Sequence, residues 1–459
     1  MFIIGSVEFD FFGRLRSFSE TFGPGVIVAI IALAVIAVMI SLWRGTGLII
    51  FILFLTYSVG ALTRGGVIFA STLTRWACLA LLGIGFFKGF SPPKASMLFF
   101  GFYAILAFIL VIFSSFPAVA IQQGILLLTT VICVPIAINS YIKSAENIRR
   151  LFKMGIVAGA VWTLVNTMFL SEFMYSTETR FIAEGTAGTG VIAYAGAFFA
   201  PMIAWGIIQK RDVIWKIFSM ILIVPFTTIL LLSGVRSAIL GMLGIGLFPL
   251  LFLRGKPIRA LVQLFVVFLL MILGVGIVFV LVPTKGEALM ERLTHTSTTG
   301  RYYIWADVLN YCFQHPFSGH GIGAGSTEGV LMIGHLFHNS YLEIWYNTSL
   351  FGLFAVLVFL GIYLLRSFRL VMAAPTEELA VFSRVALGYI LGICVMNMFE
   401  GSLAGAGGIS VTMLLIIAVM IDKLGQMIQE ESYYKHVDEE KLSVESCEES
   451  SFEKAELPY

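Results

Sequence analysis

The feature that most limits what this chain can become is a train of apolar runs that starts at 26–42 and recurs almost to the C-terminus. Each is close to the ~20 residues a helix needs to cross the hydrocarbon of a bilayer. The later runs fall at 46–63, 67–87, 97–116, 118–138, 151–170, 187–208, 215–233, 237–253, 260–282, 350–366, 384–400 and 407–422. Backbone amides in lipid find no water, so such runs must be helices, which pair these groups internally. With 59% hydrophobic and only 12% charged residues, the chain lies outside the soluble globular range. The expected fold is an all-α polytopic membrane protein of twelve or thirteen transmembrane helices with one large external helical loop.

Charge gives these helices a direction. Lys143, Arg149, Arg150 and Lys153 lie in one connection, Lys210, Arg211 and Lys216 in the next but one, then Arg254, Lys256 and Arg259, then Arg366 and Arg369. The clusters alternate without a break, which by the positive-inside rule puts them all on the cytoplasmic face. The connection at 172–184, the turn around Gly234–Arg236 and the long interval 283–349 then face outward. This divides the chain into an interfacial segment (1–25), membrane helices (26–282), an external catalytic loop (283–349), closing membrane helices (350–422) and an acidic, disordered cytoplasmic tail (423–459). Arg14 and Arg16 precede a long apolar run without a small-residue cleavage pattern, so the first span is expected to stay in the membrane. The five cysteines show no CxxC spacing, which excludes a disulfide framework or a thiolate metal site as an organising feature.

The external loop holds five of the six histidines. A helix starts near Gly300, with Ile304, Val308, Leu309 and Cys312 on one apolar face, and ends at Pro316. A glycine-rich turn follows at Gly319, Gly321, Gly323 and Gly325, and a second helix begins near Gly334 and runs through Gly352 into the next span. The turn lacks a following Lys-Ser/Thr and a preceding strand, so it is no phosphate-cradling loop. Its glycines read as allowing a tight turn and a close approach.

Three residues in this outer region have side chains suited to chemistry on a charged substrate. Arg236, in LLLSGVRSAILG, sits at the outer end of a span, where an arginine either snorkels to headgroups or serves as an anion ligand, with Ser233 and Ser237 as hydroxyl donors beside it. Arg301 opens the first loop helix, where free amides already favour an anion. A guanidinium matches phosphate through its planar fork of donors. His338 has the residue type of a general base towards a sugar hydroxyl, with His335, Asn339 and Glu343 nearby in sequence. A metal site built from His335, His338 and His320 or Glu343 has no supporting motif, and neither metal nor cofactor is expected. Arg180 and Glu184 are secondary candidates for lining an acceptor path, and Asp307 reads as a helix surface residue.

Taken together, SGVRSAILG at 233–241, TGRYYIW at 299–305, HPFSGHGIG at 315–323 and HNSYLEIWYNTSLFG at 338–352 resemble the O-antigen ligase and polysaccharide polymerase superfamily. The resemblance covers the second half of the chain. It implies a GT-C-like membrane glycosyltransferase of the bacterial inner membrane, acting at the periplasmic face by inversion and without a metal. The donor it implies is an undecaprenyl-diphosphate-linked glycan, and the acceptor a lipid-linked glycan or the lipid A core. The family's two arginines fall on Arg236 and Arg301 as diphosphate ligands, and its histidine on His338 as the base towards the acceptor. From the sequence, polymerisation of O-antigen or exopolysaccharide repeats ranks ahead of ligation to lipid A core. A chain-length regulator is a candidate partner, and nucleic acid is not. A transporter or flippase of a lipid-linked or anionic solute is the alternative from another class. It predicts inverted repeats, and the unequal spans and single asymmetric insertion do not show them.

Overall fold

The computed structural model describes residues 46–59, 66–83, 94, 96–168, 189–241, 301–326, 336–405 and 408–453, with isolated positions between 265 and 287. The expected span at 26–42, most of those at 237–253 and 260–282, and the connection at 172–184 lie outside the described residues. Among the described residues every regular element is a helix: α1 (Thr46–Val59), α2 (Gly66–Gly83), α3 (Met97–Ile109), α4 (Pro117–Tyr141), α5 (Ala145–Met168), α6 (Thr189–Ile208), α7 (Val213–Leu232), α8 (Arg301–Gln314), α9 (Ser340–Ala373), α10 (Glu377–Asn397) and α11 (Ile409–Glu453). Five of these, α4, α7, α9, α10 and the first part of α11, are long and apolar enough to cross a membrane, and three shorter apolar helices accompany them. The protein is a multi-pass membrane protein.

Helices that are apolar all round must choose which side faces protein and which faces lipid. Along α9 the choice is visible at helical spacing. Phe351, Phe354, Leu357, Leu365 and Phe368 are exposed, while Ala355, Val356, Phe359, Leu360 and Tyr363 are buried. The centre of the bundle is α10 and α11, whose apolar windows are 78% buried against 44% for α4, α7 and α9. Around them α9 packs on α3 and α10, α5 on α1 and α6, and α11 on α4. Aromatic contacts fill the interior: Trp162 meets Phe226 at 5.0 Å, and Phe152 lies 5.2 Å from Trp205 and 5.5 Å from Phe382. Hydroxyls tie helices together in the apolar interior, Ser58 donating to the Ala158 carbonyl at 2.8 Å and Tyr57 meeting Thr412 at 2.7 Å.

The basic connections expected to share one face do gather at one end of the bundle, where they meet acids. Arg149 and Arg211 pair with Glu378, Lys210 with Glu377, Lys153 with Asp212, and Arg366 and Lys94 with Asp422. The basic cluster at Arg254, Lys256 and Arg259 lies outside the described residues. Because α10 begins at this end with Glu377 and Glu378, its last turn is delivered to the opposite end, as are the starts of α6, α9 and α11.

Two expectations are corrected here. Helix α9 does not begin near Gly334: residues 336–339 are irregular and the helix starts at Ser340, so His338 and Asn339 precede it. The acidic tail was expected to be disordered, yet α11 continues to Glu453. Glutamate and lysine are good helix formers, and extending a membrane helix avoids the cost of a new nucleus.

Helix α9 is itself broken at Ser349, whose backbone (φ 68, ψ 178) leaves the helical region. The break strands backbone groups that a continuous helix would pair. The glycine turn supplies their partners: His320 N donates to Tyr346 O at 3.3 Å, Gly321 N to Asn347 O at 2.9 Å, and Leu350 N to Pro316 O at 2.8 Å. Side chains do not fit at this splice. A Cβ on Gly319 would lie 3.0 Å from Asn347 O, and one on Gly321 (φ +84) would lie 3.0 Å from Leu110 O. Helix α8 packs on the outer half of α9 through Val308 and Cys312 against Phe337, Leu342, Trp345 and Tyr346, with Ile304 and Leu309 partly buried beside them. This is the face that its periodicity predicts.

Candidate active site

The site forms at the end of the bundle opposite the basic clusters, and its hub is a residue that the sequence reading left unassigned. Glu400 follows the last turn of α10, and only 13% of its side chain is exposed. The turn that carries it is pinned to the start of α9. Ser340 N donates to Glu400 O at 3.0 Å, the Ser340 hydroxyl lies 2.7 Å from Asn397 Oδ1 and 2.8 Å from Glu400 O, and Leu403 N donates to Asn397 Oδ1 at 2.8 Å.

Three elements converge on the Glu400 carboxylate. From the start of α8, Arg301 donates through Nη1 to Phe399 O at 2.9 Å and places Nη2 3.6 Å from Glu400 Oε1. From the connection before α9, His338 places Nδ1 3.5 Å from Glu400 Oε2. From the short turn Arg236–Ala238 beyond α7, the Ser237 hydroxyl donates to Oε1 at 3.2 Å. The Tyr194 hydroxyl, near the start of α6, lies beside Ser237 and Glu400 but outside hydrogen-bonding geometry. Burial by itself would raise the Glu400 carboxyl, but His338 and Arg301 together hold it below the ordinary carboxylate range. An ionised carboxylate can only accept. The His338 nitrogen facing it is therefore placed as the donor, and in a neutral ring that arrangement puts the lone pair on Nε2.

Local sequence explains how His338 reaches this position. Asn339 caps α9, its Oδ1 accepting from Tyr341 N at 3.0 Å and Leu342 N at 3.1 Å. The residue before it turns the chain, and His338 adopts a left-handed backbone (φ 49) that a non-glycine residue holds only under surrounding constraint. Trp305 Nε1 secures the adjoining strand of chain by donating to Phe337 O at 2.8 Å.

The other sequence candidates divide. Arg236 is exposed and adjoins Ser237, which brings its backbone to the cluster. Ser233 is buried and bonds within its own turn, donating to Leu230 O at 2.6 Å, so its hydroxyl serves the end of α7 and not the cluster. Asn339 is occupied as the α9 cap. His335 and Arg180 lie outside the described residues. His320 stacks on Tyr346 at 4.3 Å and bonds Tyr311 at 2.9 Å, a packing role. Glu343 places its carboxylate against Gly401, where an added Cβ would lie 2.5 Å away. Among the described residues no group of three or more His, Cys, Asp or Glu is placed to hold a metal ion.

Glu400 was missed because 384–400 reads as one apolar span and the glutamate as its end. The available signal was its position: an acid at the boundary of a membrane span is costly unless it has a partner.

Residues 221–360 match a family model described as O-antigen ligase. The protein carries an O-antigen ligase domain. No curated protein matches the chain. The matched segment on a multi-pass helical chain supports membrane-embedded glycan transfer. The domain contains Arg236, Ser237, Arg301 and His338, whereas Tyr194 and Glu400 lie outside the matched segment. The description names a ligase, which favours ligation over the polymerisation expected from the sequence.

Proposed function

We propose that this O-antigen ligase superfamily protein transfers a glycan from undecaprenyl diphosphate to a sugar hydroxyl of a lipid A core acceptor, by inversion, at the periplasmic face of the inner membrane and on a GT-C-like scaffold. The observation that carries the reading is the convergence of Arg301, His338 and Ser237 on one carboxylate at the end of the bundle away from the basic clusters. In the transfer, the bond between the anomeric carbon and the diphosphate oxygen breaks, and its electron pair stays on the diphosphate. Arg301, with Arg236 beside the cluster, neutralises the charge that grows there. The acceptor oxygen forms the new bond from the opposite face, and its proton passes to His338 Nε2. No step calls for a metal.

Protein in nanodiscs, supplied with an undecaprenyl-diphosphate-linked oligosaccharide, tests the reading. The expected result is a single transfer to a lipid A core acceptor with release of undecaprenyl diphosphate. Extension of the glycan on a second lipid-linked repeat would move the protein to the polymerases. Movement of the lipid across the bilayer without bond formation would overturn the transferase reading.

A further inference from the structure

We infer that Glu400 is the resting counter-ion of Arg301, that the donor's diphosphate displaces it, and that the freed carboxylate then has His338 as its one cationic partner. The inference rests on the diphosphate reading of the site and adds an order of events to it.

The two carboxylate oxygens are already divided between the two tasks. Oε1 faces Arg301 Nη2 and the Ser237 hydroxyl, and Oε2 faces His338 Nδ1. The contact to Arg301 is long, at 3.6 Å, and single, so it is not the two-point fork that a guanidinium makes with a committed carboxylate. Arg301 is held in place independently by its 2.9 Å bond to Phe399 O, so it does not need Glu400 to keep its position. It is also the more accessible partner: 33% of its side chain is exposed against 13% for Glu400. An incoming anion therefore meets the guanidinium with the carboxylate behind it. A diphosphate offers more charge and several oxygens in fork geometry, and displaces a single distant carboxylate contact.

Once the diphosphate neutralises Arg301, the cation that Glu400 can still stabilise is the imidazolium forming at His338. Ser237 keeps donating to Oε1, so the carboxylate is not left bare. Of the groups facing it, Arg301 is spent on the donor, and Tyr194 and Ser237 are neutral hydroxyls. The proton leaving the acceptor hydroxyl goes to Nε2 while the Nδ1 proton stays directed at Glu400. Glu400 is thus a positioning residue that makes His338 a better base after the donor has arrived.

A role as competitor predicts a gain that loss of structure cannot imitate. Equilibrium binding of undecaprenyl diphosphate without a glycan is measured on wild type, Glu400→Gln, Glu400→Asp and Arg301→Ala in nanodiscs, alongside the transfer rate. Gln keeps the shape and an accepting oxygen but removes the charge. It is expected to bind the lipid about three- to tenfold tighter while transferring about a hundredfold or more slowly. Asp keeps the charge but shortens the reach, and is expected to bind as wild type does and transfer slowly. Binding by Glu400→Gln equal to or weaker than wild type would overturn the counter-ion role, as would an Asp variant as tight as the Gln variant. If wild type does not bind the lipid and Arg301→Ala changes nothing, the diphosphate reading itself falls.

Discussion

At His338 a strained backbone and the proposed chemical role fall on the same residue. Its left-handed conformation is maintained by the Asn339 cap on one side and the Trp305 bond to Phe337 on the other. Replacing it by alanine should leave the amount of purified protein unchanged and lower transfer by about 10²–10⁴-fold, as expected for loss of a general base. Arg236→Lys keeps a charge but loses the planar fork, and should also raise the donor KM. The Glu400 carboxyl has its own pH signature. A carboxyl held below its ordinary value contributes stability that is complete above that value and is lost as pH falls through the lowered one. The melting-temperature advantage of wild type over Glu400→Gln that comes from this carboxylate should therefore shrink as pH falls below the ordinary carboxylate range, about pH 4.5. Arg301 and His338 could be singled out as candidates in the sequence because each stands in a recognisable local string. Glu400 was not, because its meaning comes from partners 62 and 99 positions away, at His338 and Arg301, that only folding brings together.

The element that shapes the site is α9 with its break at Ser349, spliced by the glycine turn. The sequence marked both parts correctly as a helix running into a span and a close-approach turn. It placed the start of the helix too early, because HLFHNSYLEIW has apolar spacing on both sides of the asparagine. The capping preference of asparagine was the better guide. Gly321→Ala forces a side chain into a left-handed backbone, at a cost of about 1–2 kcal/mol, and also into close contact with Leu110 O. It should lower both the melting temperature and transfer. Gly361, in the membrane half of α9, has open space around it, and alanine there should stabilise by about 0.4–1 kcal/mol. Thermal unfolding of the two variants side by side tests whether the splice or glycine content in general is what matters.

For the molecule as a whole, the run of apolar segments and the alternation of basic loops were enough to foresee a helical bundle with two different ends. Length and hydropathy did not foresee that α11 continues past the membrane, since composition alone cannot say whether a glutamate-rich segment inherits a helix already formed. The ion-paired end is a test of how separable the ends are. Asp422 accepts from Tyr363 at 2.9 Å and Arg366 at 2.9 Å and lies 3.6 Å from Lys94. Asp422→Ala leaves the Tyr363 hydroxyl with Ser96 as its remaining partner and takes the carboxylate from Arg366 and Lys94, and should cost about 1–3 kcal/mol, seen as a lower melting temperature, with binding of undecaprenyl diphosphate unchanged.

The mended break in α9 also bears on biosynthesis. Pro316, His320 and Gly321 leave the ribosome before Tyr346, Asn347 and Leu350 do. The groups that will receive the interrupted helix are therefore already made when it emerges, and a nascent chain can close the gap as it is threaded into the bilayer instead of holding bare amides there while a later segment is awaited.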